Sequence, residues 1–185
     1  MKELVFFLEE QSAKALLETI FLRLNSADVA VRYIVFEGKN DLTKQLERRM
    51  RGYLNKEARF IVLQDQDAKD CHSLKAELKD RCHMAGRPDA IVRIACHEIE
   101  SWYLADLAAV GLAFKKTGLA GKQAGEKYRN PDSLGNPVQE LRRLVPEYQK
   151  VGGSRLIGHH LTLDNDRSKS FYHLLQAVKL MLKDE

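Results

Sequence analysis

Five apolar residues in a row, Leu4-Val5-Phe6-Phe7-Leu8, end abruptly at two acids, Glu9 and Glu10. A short unbroken apolar run rich in β-formers is the pattern of a strand covered on both faces. Behind it Ala15, Leu16, Ile20 and Leu24 recur at helical spacing through Asn25, with Ser12 placed to cap the helix. The unit then repeats. Val31-Arg32-Tyr33-Ile34-Val35-Phe36 is a second apolar strand closed by Glu37-Gly38-Lys39, and Asn40 is placed to cap a helix carrying Leu42, Leu46, Met50 and Leu54. Phe60-Ile61-Val62-Leu63 is a third strand. The polar turn Gln64-Asp65-Gln66-Asp67 follows it, then a helix through Leu74 and Leu78 to Cys82 that Gly86-Arg87-Pro88 terminates. The fourth strand, Ile91 to Cys96, leads through His97-Glu98-Ile99-Glu100 into a helix from Ser101 to Leu107.

Strands alternating with helices predict βαβ crossovers, hence a Rossmann-like α/β fold with a mostly parallel four-stranded sheet flanked by helices. Residues 1–110 form this core, and residues 111–185 are expected as a helical extension packed on the same single domain. Between Gly111 and Gly135 the chain is rich in Gly, Lys and polar residues, which predicts a mobile excursion over the sheet edge. Pro137 suits the first position of a helix through Leu144. Gly152-Gly153 is expected to separate it from a short helical stretch, Ser154 to His160. The final helix, Ser170 to Leu182, gathers Phe171, Leu174, Leu175, Val178 and Met181 on one side.

A chain of 185 residues, 44% hydrophobic and 30% charged, has the composition of one globular domain and no room for a large disordered fraction. The longest apolar run is far below the ~20 residues that cross a bilayer, and the amino terminus lacks a signal peptide's pattern, so no membrane partner and a cytoplasmic location are expected. The net charge of +4 permits a polyanionic partner without clustering the basic residues. Cys71, Cys82 and Cys96, each followed by histidine, lack the knuckle spacing of a structural zinc site and read as buried thiols.

Acids mark the strand ends. Glu9 follows the first strand, Asp65 and Asp67 the third, and Glu98 and Glu100 the fourth. In an open parallel sheet the ligand crevice lies beyond those carboxyl ends, so several carboxylates converge there and repel one another. A hard divalent cation with oxygen ligands, Mg²⁺ or Mn²⁺, neutralises such a cluster. No glycine-rich phosphate cradle and no nucleophile elbow accompanies them. The paired Asp65 and Asp67 also depart from the lone phosphorylatable aspartate of a receiver-like fold. Trp102 opens an amphipathic helix, as a core residue does, and stacking on a base is its other reading.

Three stretches together, Leu8-Glu9-Glu10-Gln11-Ser12, Leu63-Gln64-Asp65-Gln66-Asp67 and the run from Glu98 to Asp106 around Trp102, resemble the Toprim-like family 4276 of domains of unknown function. Lys39 to Leu42, Tyr148-Gln149-Lys150 and Ser168-Lys169-Ser170-Phe171 extend the resemblance over nearly the whole chain. Toprim domains occur in topoisomerases, primases and overcoming-lysogenization-defect nucleases, where a glutamate after the first strand and an Asp-x-Asp after the third hold magnesium. The resemblance therefore implies that Glu9, Asp65 and Asp67 bind the metal; Glu9 or Glu100 is expected to assist as base. Lys39, Lys150 and Arg155 are expected to contact the substrate backbone. Glu10 stands where the family's usual residue is glycine, so either Glu9 or Glu10 is the first ligand. The expected activity is a metal-dependent phosphodiesterase, an endonuclease on RNA or DNA, with a place in anti-phage defence. The alternative is a non-catalytic regulatory or interaction module working with a partner ATPase, and a homodimer stays open.

Overall fold

Strands β1 (Lys2–Leu8), β2 (Val29–Val35), β3 (Arg59–Asp65) and β4 (Ile91–Ala95) lie side by side in the order β2-β1-β3-β4, and every neighbouring pair is parallel. The computed structural model describes residues 2–24 and 29–182. Asn25, in the expected first helix, lies outside the described residues. β1 buries both faces, as its apolar run requires: Leu4, Phe6 and Leu8 enter one core, and Val5 and Phe7 the other.

The helices divide between those two cores. α2 (Lys39–Arg51) and α3 (Cys71–Met84) cover the Val5 face through Leu42, Leu46, Met50, Leu74 and Leu78. α1 (Gln11–Leu24) covers the other face. It shares that face with α4 (Glu100–Leu104), α5 (Leu107–Phe114), α6 (Glu126–Arg129), α7 (Pro137–Leu144), α8 (Lys150–Gly158) and α9 (Lys169–Leu182). From β1 the chain crosses to β2 on one side, and from β2 it returns past β1 to β3. Crossovers of one hand running in opposite directions put their helices on opposite faces, so the helices part between β1 and β3 and open a crevice at the carboxyl ends of those strands.

Several boundaries differ from those the sequence predicts, each for a local reason. Ser12 lies inside α1 and its hydroxyl donates to Glu10 Oε2 at 3.1 Å instead of capping. α2 begins at Lys39 behind Gly38, whose φ of 93° places it in the left-handed region, so Asn40 is not the cap. That helix stops at Arg51, leaving Leu54 beyond it and exposed. The helix expected from Ser101 to Leu107 is two, because Asp106 accepts the Ala109 N–H at 3.1 Å and starts α5. Residues 111–135 are no free excursion. α5, α6 and 3₁₀ turns at Ala120–Lys122 and Pro131–Ser133 run through them, Leu119, Tyr128 and Pro131 are buried, and the turns pack on α4 and α5. Gly152 and Gly153 do not interrupt a helix but lie within α8. No helix among the described residues is long and apolar enough to cross a membrane.

Candidate metal centre

Parallel pairing of β1 with β3 carries their acidic ends to one place. Leu8 pairs with Leu63 in register, so the next residue of β1, Glu9, stands at the rim where β3 finishes in Asp65. Glu9 Oε2 accepts the Asp65 backbone N–H at 3.2 Å, and the two side chains are 9% and 8% exposed. They share a narrow cleft with Glu10, Ser12 and Ile99 that has room for about one water-sized species. Glu100, the first residue of α4, is fully buried. Its Oε1 accepts the Tyr148 hydroxyl at 2.8 Å, and its Oε2 has no partner among the described residues.

Asp67 lies further out. Its carboxylate takes the Lys39 ammonium at 2.6 Å on the surface of the rim. Backbone bonds tie its loop to the end of β4: Gln66 N–H to Ala95 O and Asp67 N–H to His97 O, both at 2.9 Å. Asp67 and His97 both have positive φ, 53° and 56°, a conformation uncommon outside glycine and found often where a site holds its loops tightly.

The electrostatics are dominated by burial. Glu9 is pushed up to about 7 by desolvation, with the Asp67 and Glu10 charges adding to it and the Asp65 N–H and Lys39 opposing. Asp65 rises well above the ordinary carboxylate range, again chiefly through burial, then through the charges of Glu100 and Glu9. Glu100 is raised by burial although Lys150 and the Tyr148 hydroxyl favour its charged form. Burial pulls the Lys150 ammonium down, but the Glu100 and Glu10 carboxylates outweigh it and hold the lysine protonated. Its Nζ lies 3.2 Å from Glu10 Oε2. Two buried acids, Glu9 and Asp65, therefore line one short cleft, the Glu100 carboxylate lies behind them close enough to raise Asp65, Lys150 stands half-buried beside them, and among the described residues Glu100 Oε2 has no hydrogen-bond partner. Such a donor set fits a hard cation taking oxygen ligands. It is not a finished shell: among the described residues no three His, Cys, Asp or Glu side chains meet in ligating geometry.

The residues expected at this rim separate into two groups. Glu9, Asp65 and Glu100 come together, with Lys150 beside them and Asp67 bound to Lys39 at the edge. Arg155 instead pairs with Glu18 of α1 at 3.3 Å, and Glu10 pairs with Lys150. Trp102 is a core residue: it is fully buried, donates Nε1–H to Ser170 Oγ at 2.8 Å and packs 5.2 Å from Phe171 between ring centres. Tyr148, which supports Glu100, and Ser154, whose Oγ lies 3.5 Å from the Tyr148 hydroxyl, carry no signal of their own chemistry in the sequence. The only hint at Tyr148 is that it sits beside Lys150 in a stretch that also marks the family resemblance.

The paired stretches explain one another: Glu98 to Asp106 meets Tyr148 through Glu100 and Ser170 through Trp102, and Glu98 Oε2 accepts the Val138 N–H at 3.3 Å where α7 begins. No curated protein and no solved structure matches the chain. Residues 8–179, which hold every strand end and side-chain pair described here, match one family, and the chain belongs to it: Domain of unknown function (DUF4276).

Proposed function

We propose that the acid rim is a divalent-metal site of Toprim type and that the protein is a metal-dependent phosphodiesterase acting on RNA or DNA. The observation that carries this reading is the burial of Glu9 and Asp65 against each other at the ends of adjacent strands, with Glu100 behind them and too little positive charge to balance the three. Glu9, Asp65 and Asp67 would hold Mg²⁺ or Mn²⁺, which when bound polarises a phosphate and acidifies a water. Glu9, poised near neutral pH, is able to hold or release a proton at its carboxyl within the physiological range. Tyr148 fixes Glu100 through Oε1 and leaves Oε2 directed into a buried site, an orientation suited to accepting a proton. Lys150 and Lys39 are placed at the rim to receive phosphate oxygens, Lys39 by exchanging Asp67 for the substrate.

The experiment is a cleavage assay on single- and double-stranded RNA and DNA with Mg²⁺ or Mn²⁺. The protein is expected to cut one of these, with loss of at least about a hundredfold in Glu9→Gln and Asp65→Asn, the scale of a positioned acid-base or charge-stabilising group. Equal cutting by both variants would sink the proposal. A second reading has its own observation: Lys39 and Lys150 already occupy Asp67 and Glu10, and among the described residues no three ligands meet. On that reading the rim is neutralised by the chain itself, and the protein is an interaction module for a partner such as an ATPase. Absence of any metal-dependent rise in melting temperature, together with absence of cleavage, would favour it.

A further inference from the structure

A second place in the molecule has an unbalanced charge, and it is of the opposite sign. β4 is an edge strand, and a pocket of about 310 Å³ lies along its open side between α3 and α9. Lys75 of α3, Arg93 of β4, and Lys169 and His173 of α9 line it, and no carboxylate does among the described residues. Arg93 is half-buried, yet its hydrogen bonds go to neutral carbonyls: Nε–H to His173 O and Nη1–H to Val92 O, both at 3.0 Å. Burial alone lowers its pKa, with no acid acting to restore it. Lys75 has no ion-pair partner among the described residues, and the partner of Lys169, Asp166 at 3.4 Å, is a largely exposed and weak one. Two acids flank the pocket without lining it. Asp70 caps α3 through the Ser73 N–H at 2.8 Å; Asp132 accepts the N–H of the lining Ser170 at 3.3 Å, helps raise the Cys96 thiol, and leaves its buried Oδ1 without a partner among the described residues.

A half-buried guanidinium that meets only neutral carbonyls keeps N–H donors open to an anion, and a charge-assisted bond to one is stronger than a bond to water. The opposite wall is neutral: Cys71 and Cys96, both free thiols raised by burial, with Val92 and Ile94 between them. A pocket of this volume takes a small organic ligand. We propose that the β4-edge pocket binds the phosphate of a nucleotide-sized phosphomonoester, with Arg93 gripping two of its oxygens, Lys75 and Lys169 adding charge, and the sugar and base lying on the thiol and aliphatic wall. Arg provides the planar fork for two oxygens, which lysine lacks. The site does not depend on the acid rim, although it begins at Cys96, one residue past the register partner of Asp65.

Calorimetric titration of the full chain in chelator, where no divalent ion loads the rim, tests this with adenosine 5′-monophosphate, adenosine and inorganic phosphate. The monophosphate is expected to bind and adenosine not, and Asp65→Asn is expected to bind as the unmodified chain does. Replacing the exposed pair, Lys75→Ala with Lys169→Ala, is expected to weaken the monophosphate at least about tenfold without unfolding the protein, while Arg93→Gln abolishes binding. A 5′-phosphorylated oligonucleotide that binds tighter than the monophosphate assigns the pocket to a strand end, and one that binds no tighter assigns it to a free nucleotide. No heat from the monophosphate, equal binding of adenosine, unchanged affinity in the lysine pair variant or loss in Asp65→Asn would each overturn the assignment. None of these outcomes bears on cleavage at the rim.

Discussion

Glu100 shows how a single residue is both legible and opaque in a sequence. Its place just after the fourth strand marks it as a rim acid, but its charge state depends first on its burial, then on Lys150 and on Tyr148, 48 residues away. The same holds for Asp67 and Lys39, which the sequence offers as a metal ligand and a substrate contact and which the fold joins as an ion pair at 2.6 Å. Local pattern names the residue types at strand ends, and only the packing of α7, α8 and the loops decides which of them meet. Tyr148→Phe tests the most buried of these meetings. It keeps the ring, which sits against Tyr103 and Phe114, and removes the Tyr148 donor to Glu100 Oε1, leaving both carboxyl oxygens without a hydrogen-bond partner among the described residues. Orphaning a buried acceptor costs about 1–3 kcal/mol, so the denaturant midpoint is expected to fall by that equivalent. In a Glu100→Leu background the same change should cost much less, and a coupling below about 0.5 kcal/mol would show that the bond contributes nothing specific.

At the scale of elements, apolar runs at the right spacing are enough to place the four strands to within two residues at either end, because strands covered on both faces leave a continuous hydrophobic signature. The double glycine misleads for the opposite reason. Glycine reads locally as a breaker, but α8 runs through Gly152 and Gly153 to Gly158, and at Gly153 and Gly158 a close neighbour, not a turn, calls for the missing Cβ. A Cβ on Gly153 would meet the Tyr148 ring at 2.4 Å, and one on Gly158 would meet Thr19 Oγ1 of α1 at 2.0 Å, whereas one on Gly152 would meet nothing within 4 Å. The three glycines of one helix therefore respond differently to the same substitution. Gly158→Ala is expected to lower stability by about 1–3 kcal/mol through overpacking between α1 and α8. Gly153→Ala displaces Tyr148 and with it the support of Glu100. Gly152→Ala, exposed and helical, is expected to stabilise by about 0.5–1 kcal/mol because alanine loses less backbone freedom on folding. Chemical denaturation of the three variants checks the order, and a destabilising Gly152→Ala would contradict it.

Over the whole molecule, the alternation of strand and helix signals a parallel sheet, whereas the order β2-β1-β3-β4 depends on the direction of each crossover, which no local pattern records. That order is what sets Glu9 beside Asp65, and the consequence reaches the stability of the entire fold. Glu9 is raised to about 7, and Asp65 and Glu100 are raised as well, so the folded chain binds more protons than the unfolded chain, whose glutamates and aspartates titrate at their ordinary values of 4.5 and 3.8. Where the native state holds the extra protons, stability falls as pH rises. The contribution of Glu9 is thus lost between about pH 4.5 and 7, and the more strongly raised Asp65 extends the decline upward. Glu3, with its partners Asn55, Tyr53 and Arg32, is lowered and acts with the opposite sign, its support disappearing only as the solution becomes more acidic than pH 4.5. In chelator the melting temperature is therefore expected to be higher at pH 5 than at pH 8. Asp65→Asn, which removes one of the acids forced to ionise in the cleft, is expected to flatten that slope and to melt above the unmodified chain at pH 8. A cation competes with protons for the same oxygens, so millimolar Mg²⁺ or Mn²⁺ should raise the melting temperature at pH 8, do little at pH 5, and do nothing for the variant. A melting temperature that climbs from pH 5 to pH 8 in chelator would mean that the rim acids are already balanced by Lys150 and Lys39, and the case for a metal between them would be lost.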